Sequence, residues 1–383
     1  MTLHFDAGEL VERRSRACAA LSAQGLDALL MFRQESMYYL TGYDTFGYVF
    51  FQCLILTADG RTALLTRAPD LRQARHTSDI ADVRVWEDRE GLNPAENLRE
   101  IMADLDLEGA RVGIELDAYG LTGHNLRRLD RALEGFCAMS DASLLVSKLR
   151  IVKSVAEIAH VRRAAELADD AWDAGIAVTA GGAFEGDILA AMQGAVFRGG
   201  GDYSGNEFII GSGDGALLCR YFTGRRHLDA QDQLTLEWAG AYRHYHAALM
   251  RTVPVGAARP GHIDMHARAV DALLACEAAL KPGSTMGDVF AAHARVFDDA
   301  GLSAHRMNAC GYGLGTTFAP NWMDWPMFHA GNPVQIAPGM VFFLHMILMD
   351  SDSGTAMTLG RTSLVTSGGA EVLSRLPLDL ITR

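Results

Sequence analysis

"LEWAGAYRHYHAALMRT", residues 236–252, is the stretch on which the reading of the fold turns. Apolar and polar residues alternate on both sides of a short Gly-Ala-Tyr segment, the pattern of two strands joined as a hairpin. On the first strand Thr235 and Glu237 share one face, while Leu234, Leu236 and Trp238 share the other. On the second, His244, His246 and Ala248 fall together. With the turn placed at "GAY", Glu237 and His246 face one cleft. A carboxylate and imidazoles on one sheet face admit three readings: a metal site, an acid–base pair, or the solvated face of an ordinary hairpin.

Upstream, residues 1–150 alternate helix-like text ("ELVERRSRACAALSAQGL") with strand-like text ("DALLMF", "FQCLILTADGRTALLT", "ARVGIEL"), which predicts an α/β domain. At "SKLRIVKSVAEIAHVRRAAELADDAWDAGI" the texture changes. Ser154 and Glu157 fit a capping box, and Val155, Ile158, Val161, Ala165, Ala168 and Trp172 recur at helical spacing. A long amphipathic helix therefore opens a second domain, 151–383. Its remaining helices ("GDILAAMQGAVFRGG", "MHARAVDALLACEAALK", "MGDVFAAHARVFDDAG") mix with runs of strands, which predicts α+β.

Bulk properties exclude several functions. A formal net charge of −13 argues against nucleic acid, which demands a concentrated basic surface. The same field suits a cationic or zwitterionic small molecule. Cysteines 18, 53, 137, 219, 276 and 310 form no CxxC pair, the usage of a reducing compartment. The first residues read as an amphipathic helix without the apolar run of a signal peptide. "MVFFLHMILM", 340–349, is too short to span a bilayer. A cytoplasmic protein without membrane or nucleic-acid partners is expected.

Two further stretches carry chemistry. "GYGLGTTFAPNWMDW", 311–325, is glycine-rich and then aromatic, but lacks the spacing of a dinucleotide loop or a Walker A loop. Trp322 and Trp325 read as core packing or as part of an aromatic box around a cation. His345 lies inside an apolar strand, where a histidine needs a partner or a task.

Taken in order, "YYLTGYDTFGY", "EIAHVRRAAELADDAW", "IIGSGDGALLCRYF", the hairpin, "GYGLG", "PGMVFFLHM" and "TSLVTSGGAEVLS" resemble the creatinase / aminopeptidase P / prolidase superfamily over nearly the whole chain. The resemblance implies a C-terminal pita-bread domain after a smaller α/β domain. The superfamily's metallopeptidases hold two metals with two aspartates, a motif histidine and two glutamates. Those positions fall here at Glu237, Ala248, Tyr312, His345 and near Gly360, and the histidine after the "SG" motif falls at Arg220. A dinuclear centre needs carboxylates bridging cations ~4 Å apart, so these substitutions remove it. Glu237, His246 and His345 still allow a single-metal site.

Within the superfamily the chain is most similar to the metal-free ectoine hydrolases, through "YYLTGYDTFGY", "HYHAALMRT" and GYG followed by aromatic, proline and tryptophan. That resemblance implies a hydrolase of non-peptide C–N bonds that opens a small cyclic amidine, with no metal or other cofactor. It implies Glu237 as nucleophile, or as base on water, with His246 and His345 moving the proton. Tyr48, Trp322 and Trp325 would flank the cation, Arg220 would bind its carboxylate, and Tyr43, His244 and Tyr312 would complete the substrate site. A homodimer, in which Tyr43 and Tyr48 act across the interface, is the family's habit. The alternatives are another creatinase-type amidino or guanidino hydrolase, a metal-dependent Xaa-Pro dipeptidase, and a non-catalytic binding protein.

Overall fold

A computed structural model describes residues 3–220 and 224–383; Tyr221 and Phe222, which end the "IIGSGDGALLCRYF" stretch, lie outside them. Backbone contacts divide the chain into Met1–Arg150 and Ile151–Arg383.

The N-terminal unit is built on a sheet of six strands, apolar and buried at its centre and more polar and exposed at its edges. They are β1 (Ala28–Met31), β2 (Cys53–Thr57), β3 (Thr62–Arg67), β4 (Asp82–Trp86), β5 (Arg111–Ile114) and β6 (Ala138–Asp141), in the order β4-β3-β2-β1-β5-β6. The helices are α1 (Ala7–Ala23), α2 (Gln34–Thr41), α3 (Leu71–Thr77), α4 (Pro94–Asp104), α5 (Gly123–Leu133) and α6 (Leu145–Arg150). Successive residues of β1 divide between two cores. Ala28 and Leu30 pack with Leu98 of α4 and Leu129 of α5, and Leu29 and Met31 with Leu21 of α1 and Val146 of α6. Tyr43 is fully buried in this unit, its hydroxyl 3.3 Å from both Gln52 and Thr66. Burial leaves it no face for a ligand, so the expected substrate contact is corrected to a core role. Tyr48 lies in a short 3-10 turn with its ring edge-on to the exposed Phe46.

The C-terminal unit begins as its sequence predicts. Ser154 Oγ accepts from the Glu157 N–H and the Glu157 carboxylate accepts from the Ser154 N–H, closing the capping box that opens α7 (Val155–Val178). α8 (Glu185–Arg198), α9 (Pro260–Ala279) and α10 (Met286–Asp299) complete the helical layer. The strands are β7 (Ile209–Ser212), β8 (Asp232–Tyr242), β9 (Tyr245–Val255), β10 (Ala309–Gly313), β11 (Asp324–His329), β12 (Val341–Asp350), β13 (Thr355–Thr366) and β14 (Gly369–Val372). Their order is β11-β10-β12-β13-β9-β8-β7, with β14 also on β13.

Strand alternation assigns the two faces of this sheet. Trp238 of β8 stacks on Trp172 of α7 at 5.5 Å and donates its indole N–H to the Ala168 carbonyl at 2.8 Å. Phe342, Leu344 and Met346 of β12 pack into the core shared with α9 and α10. Residues of the opposite parity, Glu237 and His345 among them, face away from the helices.

The hairpin differs from the sequence reading at its turn. Gly240, Ala241 and Tyr242 are strand, Tyr242 pairs with Tyr245, and Arg243 and His244 alone make the turn. Both have positive φ, 49° and 64°, the mirror-image geometry that matches strand twist in a two-residue hairpin loop. His244 therefore leaves the face it was expected to share with His246; its ring stacks on Phe318 at 4.1 Å. No helix among the described residues is long and apolar enough to cross a membrane.

Gly240 is where α7 touches β8: a Cβ there would stand 2.0 Å from the Ala164 carbonyl oxygen. Gly240→Ala should destabilise the protein by about 2 kcal/mol or more, read as a lower denaturation midpoint, because neither helix nor central strand can yield.

Candidate active site

Backbone pairing sets Glu237 and His345 on one cross-sheet row. Glu237 pairs with Met250, Met250 with Gly360, and Gly360 with His345. The neighbouring row carries Ala239, Ala248, Thr362 and Phe343, so the floor is small-residued at its Ala239–Ala248 end, beside Glu237, and aromatic at the other. Tyr312 of β10 pairs with Phe343, and its ring clusters with Phe343 and His345 at 5.4 and 5.8 Å.

β10 lies four strand positions from β8, roughly 19 Å away in a flat sheet. Yet the Tyr312 hydroxyl donates to Glu237 Oε1 at 3.2 Å. The sheet therefore curls, and Tyr312 closes its concave face over the glutamate. Trp322 donates its indole N–H to the same hydroxyl at 2.8 Å. That bond occupies a lone pair of the phenol and leaves its hydrogen for Glu237.

Enclosure raises the Glu237 carboxyl to about 7, with the Tyr312 bond and the Arg220 charge pulling the other way. Burial is also the main reason His345 is lowered to about 4, with Arg220 adding to it. His345 Nδ1 is buried without a hydrogen-bond partner in the protein. Arg220 is itself exposed, and its charge acts on Glu237, Tyr312 and His345 together. Cys219, which sequence reasoning passed over, is close enough for Glu237 to raise its thiol further, after burial. Nothing in a lone loop cysteine signals that proximity.

Other expected site residues stand elsewhere. His246 is on the Glu237 face, but two pair-steps along it, roughly 13 Å away. Both its ring nitrogens are engaged, Nε2 by the Gly205 N–H and Nδ1 by Thr317 Oγ1. Burial, then His244, lowers it to about 3, so it stays neutral at working pH. The expected partnership of His246 with Glu237 is thus corrected. Trp322 is 1% exposed, its indole committed to Tyr312 rather than to a cation. Trp325 packs against the core under α9 and α10, so the two tryptophans form no box.

The family's metal donors do not assemble. Ala248 and Gly360 offer no ligand atom, and a Cβ at Gly360 would meet the Phe343 ring at 2.8 Å, so that ring fills the space of a side chain there. Among the described residues no group of three or more His, Cys, Asp or Glu side chains could hold a metal ion. His246 is too far along the sheet to join Glu237 and His345 in one ligand set. The most voluminous cleft described, about 590 Å³, lies away from this site and is lined by Glu185, Arg226, Asp232 and Arg259. Those groups already bond one another or nearby backbone, which explains the cleft without a ligand. The curled face with Glu237 remains the candidate site.

Comparison with known proteins agrees with this fold. Residues 13–152 match the creatinase/prolidase N-terminal domain and residues 159–367 match metallopeptidase family M24. The chain is similar to the uncharacterized hydrolase/peptidase y4tM of Sinorhizobium fredii, 27% identical over 100% of this chain and 99% of that one. It is 25% identical to the ectoine hydrolase of Halomonas elongata, over 100% and 99%. The prolidase of Thermococcus sibiricus superposes with a TM-score of 0.88 at 19% identity, over 97% and 99% of the two chains. The Xaa-Pro dipeptidase of Bacillus anthracis gives 0.83 at 20%, over 98% and 100%. At such identity the solved structures establish the fold: a creatinase-type α/β domain followed in the chain by a pita-bread domain.

Because the folded state raises the Glu237 carboxyl, its contribution is favourable below the ordinary carboxylate range and is lost as pH climbs through about 7. Glu237→Gln should therefore stabilise the protein at pH 8, on the order of 1 kcal/mol, and have little effect at pH 4. Thermal melts of both proteins at the two pH values test the sign.

Proposed function

The chain belongs to metallopeptidase family M24, and on that premise we propose that it is a metal-independent hydrolase that opens a small cyclic amidine of the ectoine type. The observation that carries the proposal is the fate of the ligand positions. Glu237 is kept, enclosed and hydrogen-bonded to Tyr312, while Ala248 and Gly360 offer no donor and Phe343 fills the space at Gly360. A carboxylate retained where its metal partners are gone has a use other than ligation. The relative named ectoine hydrolase, similar over its whole length, supplies the substrate class.

In this scheme Glu237 Oε attacks the carbon between the two ring nitrogens of the amidinium. That C–O bond forms as the π electrons move onto nitrogen; protonation of one nitrogen then breaks its bond to the carbon and opens the ring. The ring-opened intermediate is an imidate ester of Glu237, its carbon still doubly bonded to the remaining nitrogen; water adds to that carbon and the carboxylate departs, leaving the amide of an N-acetyl-diaminobutyrate-type product. The same carboxylate acting as base on water gives the same products. His345, neutral and with an unpartnered Nδ1 on the Glu237 row, is the proton carrier. Arg220 pairs with the substrate carboxylate, whose bidentate geometry a guanidinium matches. A homodimer in the cytoplasm is the setting the family suggests.

Glu237→Gln should abolish turnover of ectoine while leaving a cooperative unfolding transition. Ectoine, 5-hydroxyectoine, creatine and an Xaa-Pro dipeptide assayed side by side identify the substrate class; activity on the dipeptide alone, lost with a chelator and restored by metal, would sink the proposal. With the ionised carboxylate as reactive form, kcat should fall about tenfold per pH unit once pH drops well below 7, and chelator dialysis should leave it unchanged.

A further inference from the structure

His246 is the buried titratable group on the concave face that the scheme leaves without a step. Its surroundings give it one. Gly205 N–H donates to Nε2 at 2.8 Å, and a nitrogen that accepts a backbone N–H carries no proton. In the neutral ring the hydrogen is therefore on Nδ1, which donates to Thr317 Oγ1 at 3.0 Å. The Thr317 hydroxyl keeps its own hydrogen for the Trp322 carbonyl at 3.4 Å. From Trp322 the indole N–H goes to the Tyr312 hydroxyl at 2.8 Å, and that hydroxyl to Glu237 at 3.2 Å. The donors point one way within each of two segments, from Gly205 to the Trp322 carbonyl and from the Trp322 indole to Glu237, so the bonds reinforce one another within each, and the Trp322 side chain joins the two mechanically.

The approach of the first link is built into the backbone. A Cβ on Gly205 would stand 2.8 Å from the Asn321 carbonyl, so glycine lets this loop reach both His246 and the residue before Trp322. Asn206 of the same loop accepts from the Trp322 N–H at 3.3 Å. The His246 N–H in turn donates to the Gly315 carbonyl at 3.2 Å, tying β9 to the loop after β10. Trp322 is thus held from its carbonyl, its amide and its indole.

We infer that His246 is a positioning residue: through Thr317 it fixes Trp322, and through the Trp322 indole it aims the Tyr312 hydroxyl at Glu237. The inference rests on the reading of Glu237 as the reactive carboxylate only for its kinetic consequence. The structural part stands without it. A phenolic hydrogen has two favoured orientations in the plane of its ring, so one N–H on its oxygen decides between them. Loss of His246 should leave the substrate's binding surface in place and lower the rate of the chemical step.

The test uses the full chain labelled with 15N, in which Trp322→Phe identifies one of the five indole N–H resonances. His246→Leu and Thr317→Val should each move that resonance and speed its exchange with solvent about tenfold, the loss of one hydrogen bond's worth of protection. Turnover of ectoine by the same variants should drop about tenfold in kcat with KM held within about twofold, the mark of an interaction used in the transition state. His246→Gln, whose amide oxygen accepts from Gly205 and whose NH2 donates to Thr317, should restore most of both. An indole resonance unchanged in His246→Leu and Thr317→Val would overturn the inference, as would a Gln variant as impaired as Leu. If His246→Leu does not fold, Thr317→Val cuts the same chain with the imidazole in place. Should the indole respond as expected while Glu237→Gln keeps full turnover, the reactive role of Glu237 falls and the positioning chain stands.

Discussion

The two halves of the C-terminal sheet meet at a narrow seam between β9 and β13, and the candidate site depends on it. Only Leu359–Arg251 and Gly360–Met250 pair there in the backbone register described. On either side hydroxyls replace the ladder: Thr362 bonds both the N–H and the carbonyl of Ala248, and Thr252 bonds Thr358. Beneath the seam Arg251, 6% exposed, donates to the carbonyls of Met250 and Gly360 at 2.8 and 2.7 Å. Those two residues separate Glu237 from His345. A seam with few backbone bonds lets the sheet curl, and a buried guanidinium keeps its register while it does so.

Curling changes the electrostatics of one carboxylate. On a flat sheet Glu237 would be solvated and acidic. Under Tyr312 it is enclosed, with a single phenolic hydrogen bond and the field of Arg220 to offset the loss of water, and its affinity for protons rises toward neutrality. A carboxylate balanced near pH 7 is a stronger nucleophile and base than an ordinary one when ionised. The apolar ring of Phe343 over Gly360 fills the space that a side chain would take there, 2.8 Å from where a Cβ would stand.

Histidines in this site divide by what their nitrogens touch. His345 keeps Nδ1 unpartnered on the Glu237 row, whereas His246 spends both nitrogens on Gly205 and Thr317. The first arrangement leaves a group able to take up or release a proton during a reaction. The second is a bracket, and it reaches Glu237 only through Trp322 and Tyr312. Residues of one type, on one face, thus do different work because one is met by the Gly205 N–H and the Thr317 hydroxyl and the other is not.

Much of this was legible from sequence. The capping box at Ser154 and Glu157, the paired strands around residue 240, and the substitutions at Ala248 and Gly360 all follow from local pattern or from residue type at a family position. What failed was local too: the turn at Arg243-His244 requires two positive φ values that no glycine announces, so the hairpin was folded one segment early and His244 was placed on the wrong surface. The pairing of Tyr312 with Glu237, the distance of His246 from it, and the use of Trp322 as a hydrogen-bond donor were beyond reach of the sequence. Alternation along a strand tells which face a residue takes, but only the curl of the whole sheet decides which residues of that face meet across it.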